Sequence, residues 1–117
     1  MRKRKKGKKL SLKTDQRRAF LKILASNLVM KEKIKTTKTR AKQILPIVEK
    51  AVNLAKKGNL RAVRELNRSF SAKAAQKIIK DIAPRYTLKQ SGFVRMMNIG
   101  QRFSDSAAMA IIEFVKQ

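Results

Sequence analysis

Seven of the first nine side chains are cationic: Arg2, Lys3, Arg4, Lys5, Lys6, Lys8 and Lys9, with only Met1 and Gly7 among them. Charges of one sign at that density neutralise phosphates, each contact releasing about one condensed counterion. No compact segment holds so many like charges without counter-charge. Residues 1–13 are therefore expected to form a basic arm, disordered alone and ordered against a polyanion. Arginine at positions 2 and 4 adds bidentate phosphate and base-edge contacts that lysine cannot make. Lys13, Arg17 and Arg18 continue the basic series. A second group follows, in which Lys35, Lys38, Arg40 and Lys42 surround Thr36 and Thr37 at the expected start of a helix. Helix N-terminal amides and threonine hydroxyls bind phosphate oxygens, although here the threonines can also serve as caps. The basic residues from Lys50 onward read as solvated surface charge.

Other chemistry is poorly provided for. The chain has no cysteine and no histidine, which removes disulfides, thiolate chemistry and most transition-metal sites. Asp15, Glu32, Glu49, Glu65, Asp81, Asp105 and Glu113 are scattered singly, so spacing offers no paired-carboxylate site. Serines and threonines have no histidine to activate them. Gly7, Gly58, Gly92 and Gly100 are too far apart for a phosphate-cradling loop. The expectation is a non-enzyme with no metal, no cofactor and no small-molecule substrate. Ser91-Gly92-Phe93-Val94 faintly resembles the aromatic strand of RNA-recognition motifs, but the flanking aromatics are missing and Phe93 reads as core. Tyr86, the single tyrosine, reads as a core plug rather than a base-stacking ring.

With 31 lysines and arginines against 7 acids, the formal charge is +24 on 117 residues. Such a field attracts polyanions and points to nucleic acid. A membrane partner is not expected, because the apolar run Ala107 to Ile112 is far short of the roughly 20 residues that span a bilayer. The start also lacks the apolar stretch of about 7 to 15 residues of a signal peptide. A cytoplasmic location is expected. Hydrophobic content of 43% allows one modest core in one domain, residues 14–117.

The elements that must position these groups are legible from periodicity. Thr14 or Ser11 is expected to cap a first helix with Phe20, Ile23, Leu24 and Leu28 on its buried face. Residues 33–37 alternate as a brief strand. Ala41, Ile44, Leu45, Val48, Val52 and Ala55 mark a second helix, capped by Thr37 or Thr39 and stopped at Gly58, with Pro46 predicting a kink or restart near Leu45. A third helix is expected from Asn59 to Arg68 with Leu60, Val63 and Leu66 inward. A fourth should begin at Ser71, bury Ala75, Ile78, Ile79 and Ile82, and end at Pro84. Strands 92–99 and 107–115 would make a hairpin. The fold class is α+β: about four helices on a small mixed sheet, preceded by the arm.

Five segments in this order resemble the bacterial large-subunit ribosomal protein seventeen family over nearly the whole chain: Met1-Arg2-Lys3-Arg4-Lys5-Lys6-Gly7-Lys8-Lys9-Leu10; Ile34-Lys35-Thr36-Thr37 with Ala41-Lys42; Ala83-Pro84-Arg85-Tyr86; Gly92-Phe93-Val94-Arg95; and Met109-Ala110-Ile111-Ile112-Glu113. The resemblance implies a structural protein that binds large-subunit ribosomal RNA near the outlet of the nascent-peptide tunnel, beside other large-subunit ribosomal proteins. Arg2, Arg4, Gly7, Lys9, Leu10, Arg17, Thr36, Thr37, Arg95, Gly100, Arg102 and Asp105 match the family pattern. Lys3 and Gln16 stand where the family usually has histidine. Leu12 and Leu45 depart from its polar residues, and Phe103-Ser104 replaces an Arg-Gly pair. The rival reading is a non-specific, nucleoid-type DNA-binding protein, although no exposed wedge or dimer seam of the architectural kind is evident. A membrane-active cationic peptide is a third class.

Overall fold

The computed structural model describes residues 13–115. Residues 1–12, which carry the arm from Arg2 to Lys9 and the candidate cap Ser11, lie outside the described residues. Helix α1 spans Thr14–Lys31, strand β1 Lys33–Thr37, and helix α2 Lys38–Lys57. Helix α3 spans Leu60–Ser69. Helix α4, Ala72–Lys77, runs on through a π-helical stretch, Ile78–Ile82, into a last turn, α5, Ala83–Arg85. Strands β2, Val94–Gln101, and β3, Ala108–Phe114, complete the chain. The α+β architecture and the four helical segments match the sequence reading.

Local chemistry sets most boundaries. The Thr37 side chain accepts from the Arg40 amide at 3.4 Å, making Thr37 rather than Thr39 the cap of α2. The Asn59 carboxamide oxygen accepts from the Ala62 amide at 2.8 Å to start α3, and the Ser71 hydroxyl accepts from the Ala74 amide at 3.3 Å to start α4. Each such cap stabilises its helix by about 1 kcal/mol. Gly58 closes α2 at φ +66°, a left-handed conformation that glycine adopts without strain. Thr14, by contrast, is the first helical residue of α1, and Lys13 at the cap position makes no side-chain capping bond.

Three further expectations are corrected. In α1, Ile23 is 61% exposed and the buried stripe is Ala25, Leu28 and Val29, with Leu21 and Leu24 packed beside it. The Ser26 hydroxyl, on that face, accepts from the Ser71 amide at 3.2 Å and ties the start of α4 to it. In α3, Leu60 faces solvent and Ala62 and Leu66 are buried. Helix α2 passes Pro46 without restarting: Pro46 and Lys42, whose carbonyl it displaces, are both on the exposed side. The last helix does not stop before Pro84. Its backbone widens to a π turn in which the Ala83 amide reaches the Ile78 carbonyl, and this longer spacing accommodates the proline ring one residue later.

The sheet has strand order β1-β3-β2 and is antiparallel throughout rather than mixed. Both outer strands run against the central β3 and never touch each other, so no parallel pair arises. Ile34, Thr36, Ala110, Ile112, Met96, Val94 and Phe114 share the face that packs on the helices, whereas Lys33, Lys35, Arg95, Met97, Ile111 and Glu113 share the outer face. Phe93 and Tyr86 are buried with ring centroids 5.2 Å apart, and the Tyr86 hydroxyl donates to the Val115 carbonyl at 2.6 Å. Tyr86 is thus a core plug, as expected.

Candidate nucleic-acid interface

Helix α1 and the first turns of α2 are held together by a cation–π clasp: the Arg40 guanidinium lies 4.9 Å from the centroid of the Phe20 ring. The contact is possible because Arg40 follows its cap by one turn and Phe20 sits on the α1 side facing α2. It places Arg17, three residues before Phe20 on the same side of α1, towards the start of α2 that carries Lys38, Arg40 and Lys42, whereas Arg18 lines a cleft on the other flank of α1 with Ile47 and Arg68. Lys13, exposed, immediately precedes α1. Below it, α1 and β1 border an open groove of about 340 Å³ lined by Leu24, Asn27, Lys31, Lys33, Ile34 and Lys35. Lys31 was not among the residues expected at the site. A β-strand period with charge on alternate positions already signals Lys33, but only the packing of α1 on β1 adds Lys31.

The two threonines have different fates. Thr36 is 7% exposed on the helix-packed face of β1, so its hydroxyl does not reach the surface. Thr37 is half-buried and uses an oxygen lone pair to cap α2, which leaves its hydroxyl proton free to be donated. The first turn of α2 contains no acidic residue, and its unpaired amides reinforce the positive potential there.

Carboxylates explain why this surface stays positive. Among the described residues, Glu32 binds Arg85 and lies 3.5 Å from Lys77, and Asp81 also binds Arg85 at 3.2 Å. Glu49 accepts from the backbone amides of Val94 at 2.7 Å and Gly92 at 3.2 Å, fixing the start of β2. Glu65 pairs with Arg61, and Asp105 with Arg102. Glu113 holds Arg95 at 2.6 Å and Lys33 at 3.8 Å across the sheet, where the three residues lie in one register row. Only Asp15 stands near the α1–α2 cations, and Lys13, Arg17, Arg18, Lys35, Lys38, Arg40 and Lys42 form no ion pair among the described residues.

Arg95 and Arg102, both expected to touch RNA, are therefore placed elsewhere. Each is partly exposed but committed to a carboxylate. The Arg102 guanidinium donates through Nε to Asp105 at 2.9 Å and holds the Asp105 carboxyl well below the usual carboxylate range, at about 2. The Arg85 hydrogen bond likewise lowers the Glu32 pKa, against a smaller opposing effect of burial. No group of three or more metal-ligating side chains occurs among the described residues. None of the described helices is long and apolar enough to cross a membrane.

Residues 20–115 match the model of the family described as Ribosomal protein L17. The chain belongs to that family. It is 42% identical over 114 residues to the "Large ribosomal subunit protein bL17" of Exiguobacterium sp. (strain ATCC BAA-1283 / AT1b), covering 92% of this chain and 97% of the relative. The family is one of structural proteins of the large ribosomal subunit, and the matched span includes every element from the middle of α1 to the end of β3. The likeness read from the five sequence segments is thereby confirmed by whole-chain comparison.

Proposed function

We propose that this protein is an RNA scaffold of the large ribosomal subunit in the cytoplasm, docked near the peptide exit tunnel beside other large-subunit proteins and without catalytic activity of its own. In this reading residues 1–13 are an arm that threads ribosomal RNA, and residues 14–117 form one domain that seats on it. The observation that carries the reading is the group Lys13, Arg17, Lys38, Arg40 and Lys42, none of which forms an ion pair among the described residues, with Arg18 adding a cation on the other flank of α1. A chain with seven carboxylates leaves this surface almost free of them, and phosphate is the counter-charge that fits. Thr37 adds a hydroxyl donor at the same place, Lys35 extends the surface along β1, and Thr36 supports it from inside.

Deletion of residues 2–9 tests the arm. Binding of the full chain to large-subunit ribosomal RNA should follow a steep salt dependence, and the deletion should flatten it by up to about 0.7 to 0.9 per lost contact over seven cations. The helical signal of the body should persist. Failure of the intact chain to co-sediment with salt-washed large subunits would sink the proposal, and crosslinks in cells dominated by DNA would favour the nucleoid-type alternative.

A further inference from the structure

A second concave surface lies on the other flank of α1, where this helix meets α2 and α3. It is an open cleft of about 440 Å³ whose rim carries Arg18, Lys22 and Arg68 and whose floor is Leu21 and Ile47. Its size falls within the range of about 300–1,000 Å³ typical of small-ligand sites.

Two of these cations, Arg18 and Lys22, stand four residues apart on α1, a spacing at which like charges repel. Arg68 brings a third from the last turn of α3. None of the three makes a hydrogen bond or ion pair among the described residues. The carboxylate nearest to Arg68 along α3, Glu65, is turned to Arg61 at 3.3 Å. Three converging positive charges above an apolar floor lower the stability of the free protein unless an anion with a flat, weakly polar part occupies the space. A nucleotide has both: phosphates for the rim and a base for the floor. Free phosphate would answer the charge but leave the aliphatic floor to water.

We infer that this cleft receives a single extruded nucleotide of the bound RNA, its base lying on Leu21 and Ile47 and its phosphates held by Arg18, Lys22 and Arg68. The site rests on the RNA-scaffold reading and extends it to a second surface, on the α3 side of α1. Unpaired, splayed-out bases are the parts of RNA that proteins most readily take into pockets. The cleft can therefore select a bulge or loop, which phosphate contacts alone cannot do.

The test uses the intact chain on large-subunit ribosomal RNA carrying 4-thiouridine, with crosslinked peptides identified by mass spectrometry. Nucleotide adducts are expected on residues 18–22, 47 or 68–69. In parallel, the triple variant R18Q/K22Q/R68Q should lower the slope of log affinity against log salt by roughly 2 to 3, with unchanged circular dichroism. Placing a carboxylate on the rim, Ala19→Glu, should weaken binding in the same direction without removing a cation. If the intact chain binds RNA, yet the slope is unchanged in the triple variant and no adduct falls in the cleft, the inference is overturned while the scaffold reading stands. Loss of all RNA binding by the intact chain overturns both. Crosslinking of the cleft to a neighbouring protein in washed subunits, instead of to RNA, would assign it a peptide occupant and reject the nucleotide.

Discussion

The α1–α2 face and the region formed by the β2–β3 hairpin and the last helix use the same arginine and lysine side chains for opposite ends. On the hairpin and last helix, Arg85, Arg95 and Arg102 are each matched to carboxylates, and those pairs join segments: Glu32 after α1 to Arg85, 53 residues later, and Arg95 to Glu113 across neighbouring strands. On and beside the α1–α2 face, Arg17, Arg18, Lys38 and Lys42 have no such partner among the described residues, and the Arg40 guanidinium lies over the Phe20 ring. Paired arginines stiffen the fold and cancel field, whereas unpaired ones cost the free protein some repulsion and keep a potential available to an anion. Among the described residues, the placement of the carboxylates, more than that of the cations, separates a region of paired arginines from one whose cations form no ion pair.

This division predicts separable defects. Among substitutions that set these two regions apart, the largest effect on binding should come from K35Q/K38Q/K42Q, which should lower the salt slope of RNA affinity by roughly 2 to 3 while leaving the urea midpoint unchanged; a shifted midpoint would show that these lysines belong to the structural part. Glu49→Ala should do the reverse. It strips the Val94 and Gly92 amides of their acceptor and should cost about 1–3 kcal/mol of stability in denaturant titrations, with the salt slope retained. Tyr86→Phe, losing only the bond to the Val115 carbonyl, should cost about 1 kcal/mol, measured in the same way.

The smallest effect is also a test of sign. The folded-state pKa of Glu32 is depressed, so its contribution is present above the ordinary glutamate value of about 4.3 and is lost as pH falls through the lower folded value. Glu32 is more than a third exposed, so screening limits that contribution to about 1 kcal/mol or less. Glu32→Gln should flatten the acid side of the stability profile between pH 2 and 5 and leave neutral-pH RNA binding unaltered. An equally steep acid limb in the variant would show that other carboxylates carry it.

Much of the scaffold was readable because helix and strand signals are local. Thr37, Asn59 and Ser71 cap the helices they precede, Gly58 ends α2, and alternation from Ala108 to Phe114 separates the buried from the outer face. The misreadings occur where a distant partner decides. Periodicity at Phe20, Ile23, Leu24 and Leu28 was compatible with two rotations of α1, and in the fold Ala25, Leu28 and Val29 are the buried ones, with Ser26 meeting Ser71, 45 residues away. Pro84 gave the ordinary stop signal, but a π turn upstream removed the clash. For the candidate site, the sequence marked Lys35, Lys38, Arg40 and Lys42 as a group and could not distinguish Thr36, which points inward, from Thr37, which points to the helix end.

By itself, the sequence determined the charge, the absence of histidine and cysteine chemistry, the order of the elements and the family, since each depends on composition or on spacing within a few residues. Tertiary structure alone decided which cations remain available. Sequence spacing did not show that Arg95 lies beside Glu113 and Arg102 beside Asp105, nor that α3 brings Arg68 to the cleft with Arg18 and Lys22. The reason is physical: a charge is free or neutralised according to neighbours a few ångströms away, and packing brings those neighbours together across tens of residues of chain.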